Sequence, residues 1–368
     1  MNSQSLSSPR VDPRPGVATN DIPAFAAVSP VDEATRAAAG HRLDTLTKPQ
    51  GALGRLELLA AQVCAVQRTL HPAVTQPVAF VFAGDHGVAD RGVSAYPRAV
   101  TVQMVRNFLG GGAAINVLAR TLGIELWIVD AGTDGGLPTH PRLIDANIRR
   151  GTRDFADQAA MTTGECSSAL QRGAEVIANR VRPASNAVVL GEMGIGNTAS
   201  AALLMHGLTG IPLRDCVGRG TGLDDRGFSR KKELLTAAWA RRPPPVVPAE
   251  LLREFGGYEI AMITGAALAA AARRMLIVID GFTVTAAVAL AARIDPNVLG
   301  YCVFAHCSAE RAHRALLAHL GVQPLLDLEM RLGEGTGAAL ALPLIRAAVA
   351  LFTEMATFDG AGVSGKVA

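Results

Sequence analysis

Residues 187–198 read Ala187-Val188-Val189-Leu190-Gly191-Glu192-Met193-Gly194-Ile195-Gly196-Asn197-Thr198, and an alanine-rich stretch, Ala199 to His206, follows. A short apolar run that ends in glycines and then opens a helix reads as a buried strand feeding a strand–loop–helix unit. The pattern recurs along the chain. Val78-Ala79-Phe80-Val81-Phe82-Ala83 runs into Gly84-Asp85-His86-Gly87, and Met275 to Asp280 runs into Gly281. Glu125 to Asp130 and Tyr301 to His306 are two further strands. Helical stretches alternate with them, among them Ala99 to Leu109 and Ala113 to Leu122. The expected fold is α/β: a mostly parallel, Rossmann-like sheet flanked by helices, with ligands at the carboxyl ends of the strands.

The two ends of the chain read differently. Apolar spacing is helical from Val31 to about Leu70, around a Pro49-Gln50-Gly51 turn, and helical again from about His319. These ends are expected to pair as a small helical domain, 23–70 with 335–368, beside a large α/β domain over 71–334. Residues 1–22 are polar and rich in Pro and Ser, and disorder is expected there.

Bulk composition excludes several classes. With 368 residues and 49% hydrophobic content the chain can bury a large core. A net charge of +3 gives no drive toward nucleic acid or anionic membranes, and 4% aromatics leaves no base-stacking platform. Cys64, Cys166, Cys216, Cys302 and Cys307 are odd in number and scattered, so reduced thiols with no metal or disulfide role are expected. The N-terminus lacks a secretory h-region. The apolar runs Met193 to Leu213 and Met275 to Ala292 are interrupted and read as buried elements, not membrane spans. A cytoplasmic protein is the expectation.

Two glutamates in glycine-rich, charge-poor loops carry the chemical signal: Glu192, and Glu334 in Leu332-Gly333-Glu334-Gly335-Thr336-Gly337. A lone carboxylate among glycines and apolar residues has its pKa raised and suits general acid/base work. For Glu334 the rival reading is a helix-start carboxylate held down by the dipole. Gly194, Gly196, Asn197 and Thr198 fit either an anion cradle at a helix start or a tight turn capped by Asn197 or Thr198. The Gly-Lys-Ser/Thr ending of a P-loop is missing. Gly218, Arg219 and Gly220, followed by Lys231, fit a phosphate loop, or else a plain glycine loop and a solvated basic helix face. Ser94, Tyr96 and Gln103 offer neutral hydrogen bonds to a planar heteroaromatic ligand, or merely cap a helix. Asp85 and His86 match half of a two-metal signature whose other half is absent, so a loop-orienting role is preferred. His306, Glu310 and His313 fall at helical spacing, where a capped helix is preferred to a metal site.

Several segments match one family jointly. They are Leu46-Thr47-Lys48-Pro49-Gln50-Gly51-Ala52-Leu53-Gly54-Arg55-Leu56-Glu57, Ala83 to Val88, Gly92 to Pro97, the Glu192 loop and Val217 to Gly222. Gly256 to Ala261, Ile279 to Phe282 and Arg331 to Ala338 complete the set. Over about residues 40–355 the chain resembles the nicotinate-nucleotide-dimethylbenzimidazole phosphoribosyltransferases of cobalamin lower-ligand synthesis. Tyr258 stands where the family pattern has Phe.

The resemblance implies transfer of a phosphoribosyl group from nicotinate mononucleotide to dimethylbenzimidazole, without a metal or organic cofactor, by a homodimer. It implies Glu334 as the catalytic base and Glu192 as the second active-site carboxylate. Gly194 and Gly196 would lie at the phosphoribosyl group and Lys231 at the phosphate. Ser94 and Gln103 would line the benzimidazole pocket, and Asp280 and Ser308 would lie near the nucleotide. The competing expectations are a hydrolase of the same nucleotide and a nucleotide sensor without turnover.

Overall fold

The computed structural model describes residues 22–364, apart from 244 and 246. The disorder expected over 1–22 therefore falls, save for Ile22, outside the described residues.

Six strands form one sheet: β1 Val78–Gly84, β2 Glu125–Gly132, β3 Leu143–Asp145, β4 Ala187–Met193, β5 Leu276–Ile279 and β6 Cys302–Phe304. Their order is β3-β2-β1-β4-β5-β6, and every pairing is parallel. Parallel neighbours need crossovers, and the crossing helices cover both faces. That is why β1, β5 and β6 are apolar without alternation and buried throughout. The order reverses between β1 and β4, which opens a crevice at their carboxyl ends. There Phe82 pairs with Glu192, so Glu192 sits at the mouth of the crevice.

Three expectations need correction. The sheet has a sixth strand, β3, that the apolar runs did not reveal. It has three residues, half-buried Leu143, buried Ile144 and exposed Asp145, on the sheet edge, too short to leave a periodic signal. The chain beyond His319 is not continuously helical. Gly321, at φ +69°, ends the helix Arg311–His319. The following stretch runs beside β6, with Leu325 and Leu326 donating to Phe304 and Ala305 at 2.9 and 2.8 Å. Helix resumes only at Thr336–Glu354. Finally, residues 306–310 are not helical, so His306, Glu310 and His313 do not share one helix face.

The chain ends do meet. Arg42, on the helix Glu33–Thr45, donates to Phe352 O at 3.1 Å, and Thr47 N donates to Ala356 O at 3.0 Å. Helix Thr336–Glu354 is long and apolar enough to cross a membrane by length and composition. In this fold it is a core helix: Ala338, Leu342, Ile345 and Phe352 are buried, and it packs on helix Arg55–Gln67, β4 and β5. Close packing elsewhere explains part of the glycine content. A methyl group on Gly173 would run into Met262 O, and one on Gly265 into Leu170 O, so two long helices touch backbone to backbone.

Candidate active site

Glu334 sits at the head of helix Thr336–Glu354 with φ +65°, flanked by Gly333 and Gly335 at +80° and +84°. A left-handed glutamate between two left-handed glycines is a strained turn that its surroundings must hold. Two contacts do so. Glu334 N donates to Glu192 O at 3.1 Å, tying this loop to the end of β4. Asp280, just beyond β5, accepts from Gly335 N at 3.1 Å and Ala338 N at 3.0 Å. Gly191 allows the approach: a methyl group there would lie 2.5 Å from Gly335 N and 2.6 Å from Glu334 C.

The two glutamates thus come from the ends of β4 and of the 327–335 loop and meet in the crevice. Glu334 is 3% exposed, and its Oε2 has no hydrogen-bond partner. Burial, with Asp280 adding to it, pushes its carboxyl up to about 7, although the Ile115 N–H at the start of helix Ala114–Leu122 holds it partly down. The dipole reading of Glu334 is therefore not the one that applies. Burial and the neighbouring carboxylates Asp280, Glu259 and Glu334 push Glu192 up to about 8, against a hydrogen bond from Asn197. Both groups are thereby raised toward neutrality, the range that suits proton transfer.

Helix Asn197–Thr209 begins beside them. Its N-cap is Gly196, at φ +100°, and no side chain caps it. The expected alternative, a cap from Asn197 or Thr198, does not form. Asn197 donates to Glu192 Oε2, and Thr198 Oγ1 accepts from Lys231 Nζ at 2.9 Å. Asn197 N and Ala199 N turn back onto Gly194 O and Gly196 O at 3.1 and 3.0 Å, so the first turn is closed by backbone and takes no side-chain acceptor. Gly194 packs on β1, where a methyl group would meet Gly84 O at 2.5 Å.

Lys231 is not on a solvated helix face. It is fully buried on helix Asp225–Ala240 and its ammonium points at Thr198 and the Gly218–Gly220 loop. Burial lowers it to about 8, with Glu310 pulling the other way. Ser308 lies nearby, 8% exposed. Its N–H donates to His313 Nδ1 at 2.9 Å, which leaves Nε2 to donate to Thr285 Oγ1, also at 2.9 Å. Thr285 passes its own hydrogen to Gly281 O. Burial drives His313 down to about 3, so this chain stays neutral.

Other candidates stand apart. Arg219 is turned onto its own segment, bonded to Leu223 O and Asp225 and stacked over Phe228. Ser94 touches Thr221 of the glycine loop at 3.1 Å. Tyr96 is more than half exposed, and Gln103 is exposed on helix Val100–Gly110. Asp85 holds a loop, whereas His86 ties together helices Tyr258–Ala272 and Asn197–Thr209. Asp85 Oδ2 accepts from Asp134 N at 2.7 Å, and His86 bridges Glu259 at 2.7 Å and Ser200 at 3.1 Å. Among the described residues no group of three or more His, Cys, Asp or Glu is arranged to hold a metal ion.

The comparisons with known proteins bear on this geometry. A family model described as phosphoribosyltransferase matches residues 28–363. A nicotinate-nucleotide-dimethylbenzimidazole phosphoribosyltransferase of Cupriavidus taiwanensis is 55% identical over 340 residues, which is 92% of this chain and 98% of that one. The chain belongs to this phosphoribosyltransferase family. The enzyme of the same name from Dechloromonas aromatica is 52% identical over 342 residues, 92% of this chain and 98% of that one. A crystal structure of the enzyme of that name from Thermus thermophilus superposes with a TM-score of 0.87 at 42% identity, covering 91% of this chain and all of that one.

Sequence reasoning did not bring Glu310 beside Lys231 and the Gly218 loop, where the structure puts it. It was read only as part of a helical His–Glu–His spacing. The available signal was a glutamate at the end of a stretch free of Asp, Glu, Lys and Arg, Cys302 to Ala309, that runs off a strand end. Its carboxyl instead leaves the start of helix Arg311–His319 and lies against Gly218.

Proposed function

We propose that the chain transfers the 5-phosphoribosyl group of nicotinate mononucleotide to 5,6-dimethylbenzimidazole, giving α-ribazole 5′-phosphate and nicotinate with inversion at C1′. The observation that carries the reading is the meeting of Glu334 and Glu192, raised to about 7 and about 8, at the mouth of the crevice. The family membership supports it.

In this reading Glu334 is the base. Its unpartnered Oε2 takes the benzimidazole N–H, which raises electron density on the other ring nitrogen, and that nitrogen attacks C1′. Nicotinate leaves as a neutral pyridine and needs no acid. The ribose gains positive charge as the bond breaks. The substrate's own pyridinium cation lowers the pKa of Glu192 on arrival, so the ionised carboxylate can face that charge. Attack on the face opposite the leaving group inverts the centre, a single displacement. Lys231 and Thr198 would hold the phosphate, with Gly194, Gly196, Gly218 and Gly220 allowing close approach. Ser308 would lie beside the nucleotide. Ser94, Tyr96 and Gln103 would contact the base, and Asp280 would hold the Glu334 loop in place. No cofactor enters these steps. The reading includes a cytoplasmic homodimer in which 23–70 and 335–368 form a small helical unit against 71–334.

The test is incubation of purified protein with nicotinate mononucleotide, with and without dimethylbenzimidazole, followed by chromatography and mass analysis. A ribazole phosphate that forms only with the base is expected. Nicotinate released equally without the base would mean a hydrolase, and none in either tube would mean a binding protein.

A further inference from the structure

Glu310 is a buried acid in what the proposed function makes a phosphate site. It is 7% exposed, and its Oε2 has no hydrogen-bond partner. That oxygen occupies the space a methyl group on Gly218 would need, so the carboxyl is wedged against the glycine loop. The same loop carries Gly220, whose Cα faces Thr198 Oγ1 and Lys231 Nζ. Lys231 and the Gly220 N–H draw the Glu310 charge, while burial opposes it and raises the carboxyl above the usual range. A cavity of about 860 Å³ opens beside it, lined by Ser308, Arg311, Arg314 and residues 327–329.

A phosphomonoester dianion at Lys231 would meet this carboxylate at close range. In a site shielded from water, two anions side by side cost several kcal/mol unless one is neutralised. A carboxylic acid resolves the conflict, because its O–H donates to a phosphate oxygen.

We propose that Glu310 binds the nucleotide's phosphate as a neutral acid, handing its O–H to a phosphate oxygen beside the Lys231 ammonium, so that nucleotide binding takes up a proton. The inference rests on the phosphate reading above. It names a role that neither the base Glu334 nor Lys231 fills. The charged groups around Glu310 are few. Lys231 faces it from helix Asp225–Ala240 and Arg331 from the 327–335 loop. Arg311, Arg314, Asp327 and Glu329 ring the cavity, and His313 on the same helix is held neutral.

The experiment is calorimetry of nicotinate mononucleotide binding at about pH 7.5 in two phosphate-free buffers of different ionisation enthalpy. Wild type is expected to take up more protons with the nucleotide than with the phosphate-free nicotinate riboside, whose binding shares the proton release from Glu192 but not the uptake at Glu310, and the nucleotide's advantage in affinity should shrink as pH rises. Glu310→Gln, which keeps an N–H donor there, should lose most of that uptake, and what is left measures Lys231. The phosphate-free nicotinate riboside carries the same pyridinium and should show the Glu192 release alone. Equal proton counts for nucleotide and riboside in wild type would overturn the inference, and so would the full difference in Glu310→Gln. Wild-type uptake needs no variant, so a poorly folding Glu310→Gln leaves the inference open to refutation. Lys231→Ala separates the two readings. If it weakens the nucleotide and the riboside alike, the phosphate lies elsewhere and both readings fall. If it weakens only the nucleotide while wild type takes up no more protons with the nucleotide than with the riboside, the Glu310 role alone falls.

Discussion

Asp280 and Glu334 are two buried carboxylates at one helix start, and they differ in what the backbone gives them. Asp280 places both oxygens on N–H groups of the helix Thr336–Glu354, those of Gly335 and Ala338. Glu334 stands one residue before the cap, at φ +65°, with Oε2 unpartnered. The helix N-terminus can satisfy one carboxylate, and it satisfies Asp280. The other is left desolvated next to a negative neighbour, which lifts it to about 7. The comparison teaches that a hydrogen-bonded acid and an acid raised toward neutrality can share one turn. Bonded N–H groups decide which is which.

The largest effect should come from the raised partner, Glu334. Glu334→Gln keeps the shape and removes the base that the proposed function assigns, so on that reading turnover should fall by about 10²–10⁴ with nucleotide binding retained. Steady-state rates and calorimetry check this, and near-normal turnover would end the assignment. Gly191→Ala attacks the comparison from outside. Its methyl group would press on the backbone at Glu334 and Gly335, which cannot yield as a flexible side chain would. A shift of about 1 Å at a catalytic group costs about 10²-fold in rate. The expected result is a large drop in turnover with a smaller loss of melting temperature. A fall in melting temperature with unchanged turnover in the folded fraction would show that the β4 contact does not set the base.

Asp280→Asn should act on both partners at once. It loses the charge that helps raise Glu334 and leaves one N–H with a poor acceptor. Stability should drop by about 1 kcal/mol, the usual cost of a weakened cap. The acidic limb of the pH–rate profile should move to lower pH, since a like charge no longer opposes ionisation. An unshifted limb would mean that burial alone sets the Glu334 value.

How much of this was readable in the sequence depends on the length over which a signal accumulates. The long buried strands and the Gly-Glu loops announce themselves, because apolar runs and glycines are local features. So does the pair Glu192 and Glu334, although nothing local says that β4 joins them. β3 has three residues and gives no period. Glu310 was misread because 306–310 is a loop, so helical spacing did not apply to it. Asp280 could be placed near the site by resemblance. That its two oxygens belong to Gly335 and Ala338 is a contact across more than fifty residues, set by the strand order alone. The solvated-face alternative for Lys231 fails for the same reason: its burial depends on helix Asn197–Thr209 packing over it.

The smallest effect concerns pH in the intact protein. The proton must be off Glu334 for it to act as base, so kcat/KM should rise with pH, by up to tenfold per unit, to a bend near about 7. Lys231, lowered to about 8, must keep its proton to hold a phosphate, so the same quantity should fall again above that value. Glu192, raised to about 8, titrates with Glu334 as a pair, so the acidic bend belongs to the two together. Lys231→Ala removes one side only. It should raise KM for the nucleotide more than for dimethylbenzimidazole and weaken the alkaline fall while leaving the acidic bend. A variant that loses the acidic bend as well would tie Lys231 to the carboxylate pair, and the separation of base and phosphate groups would fail.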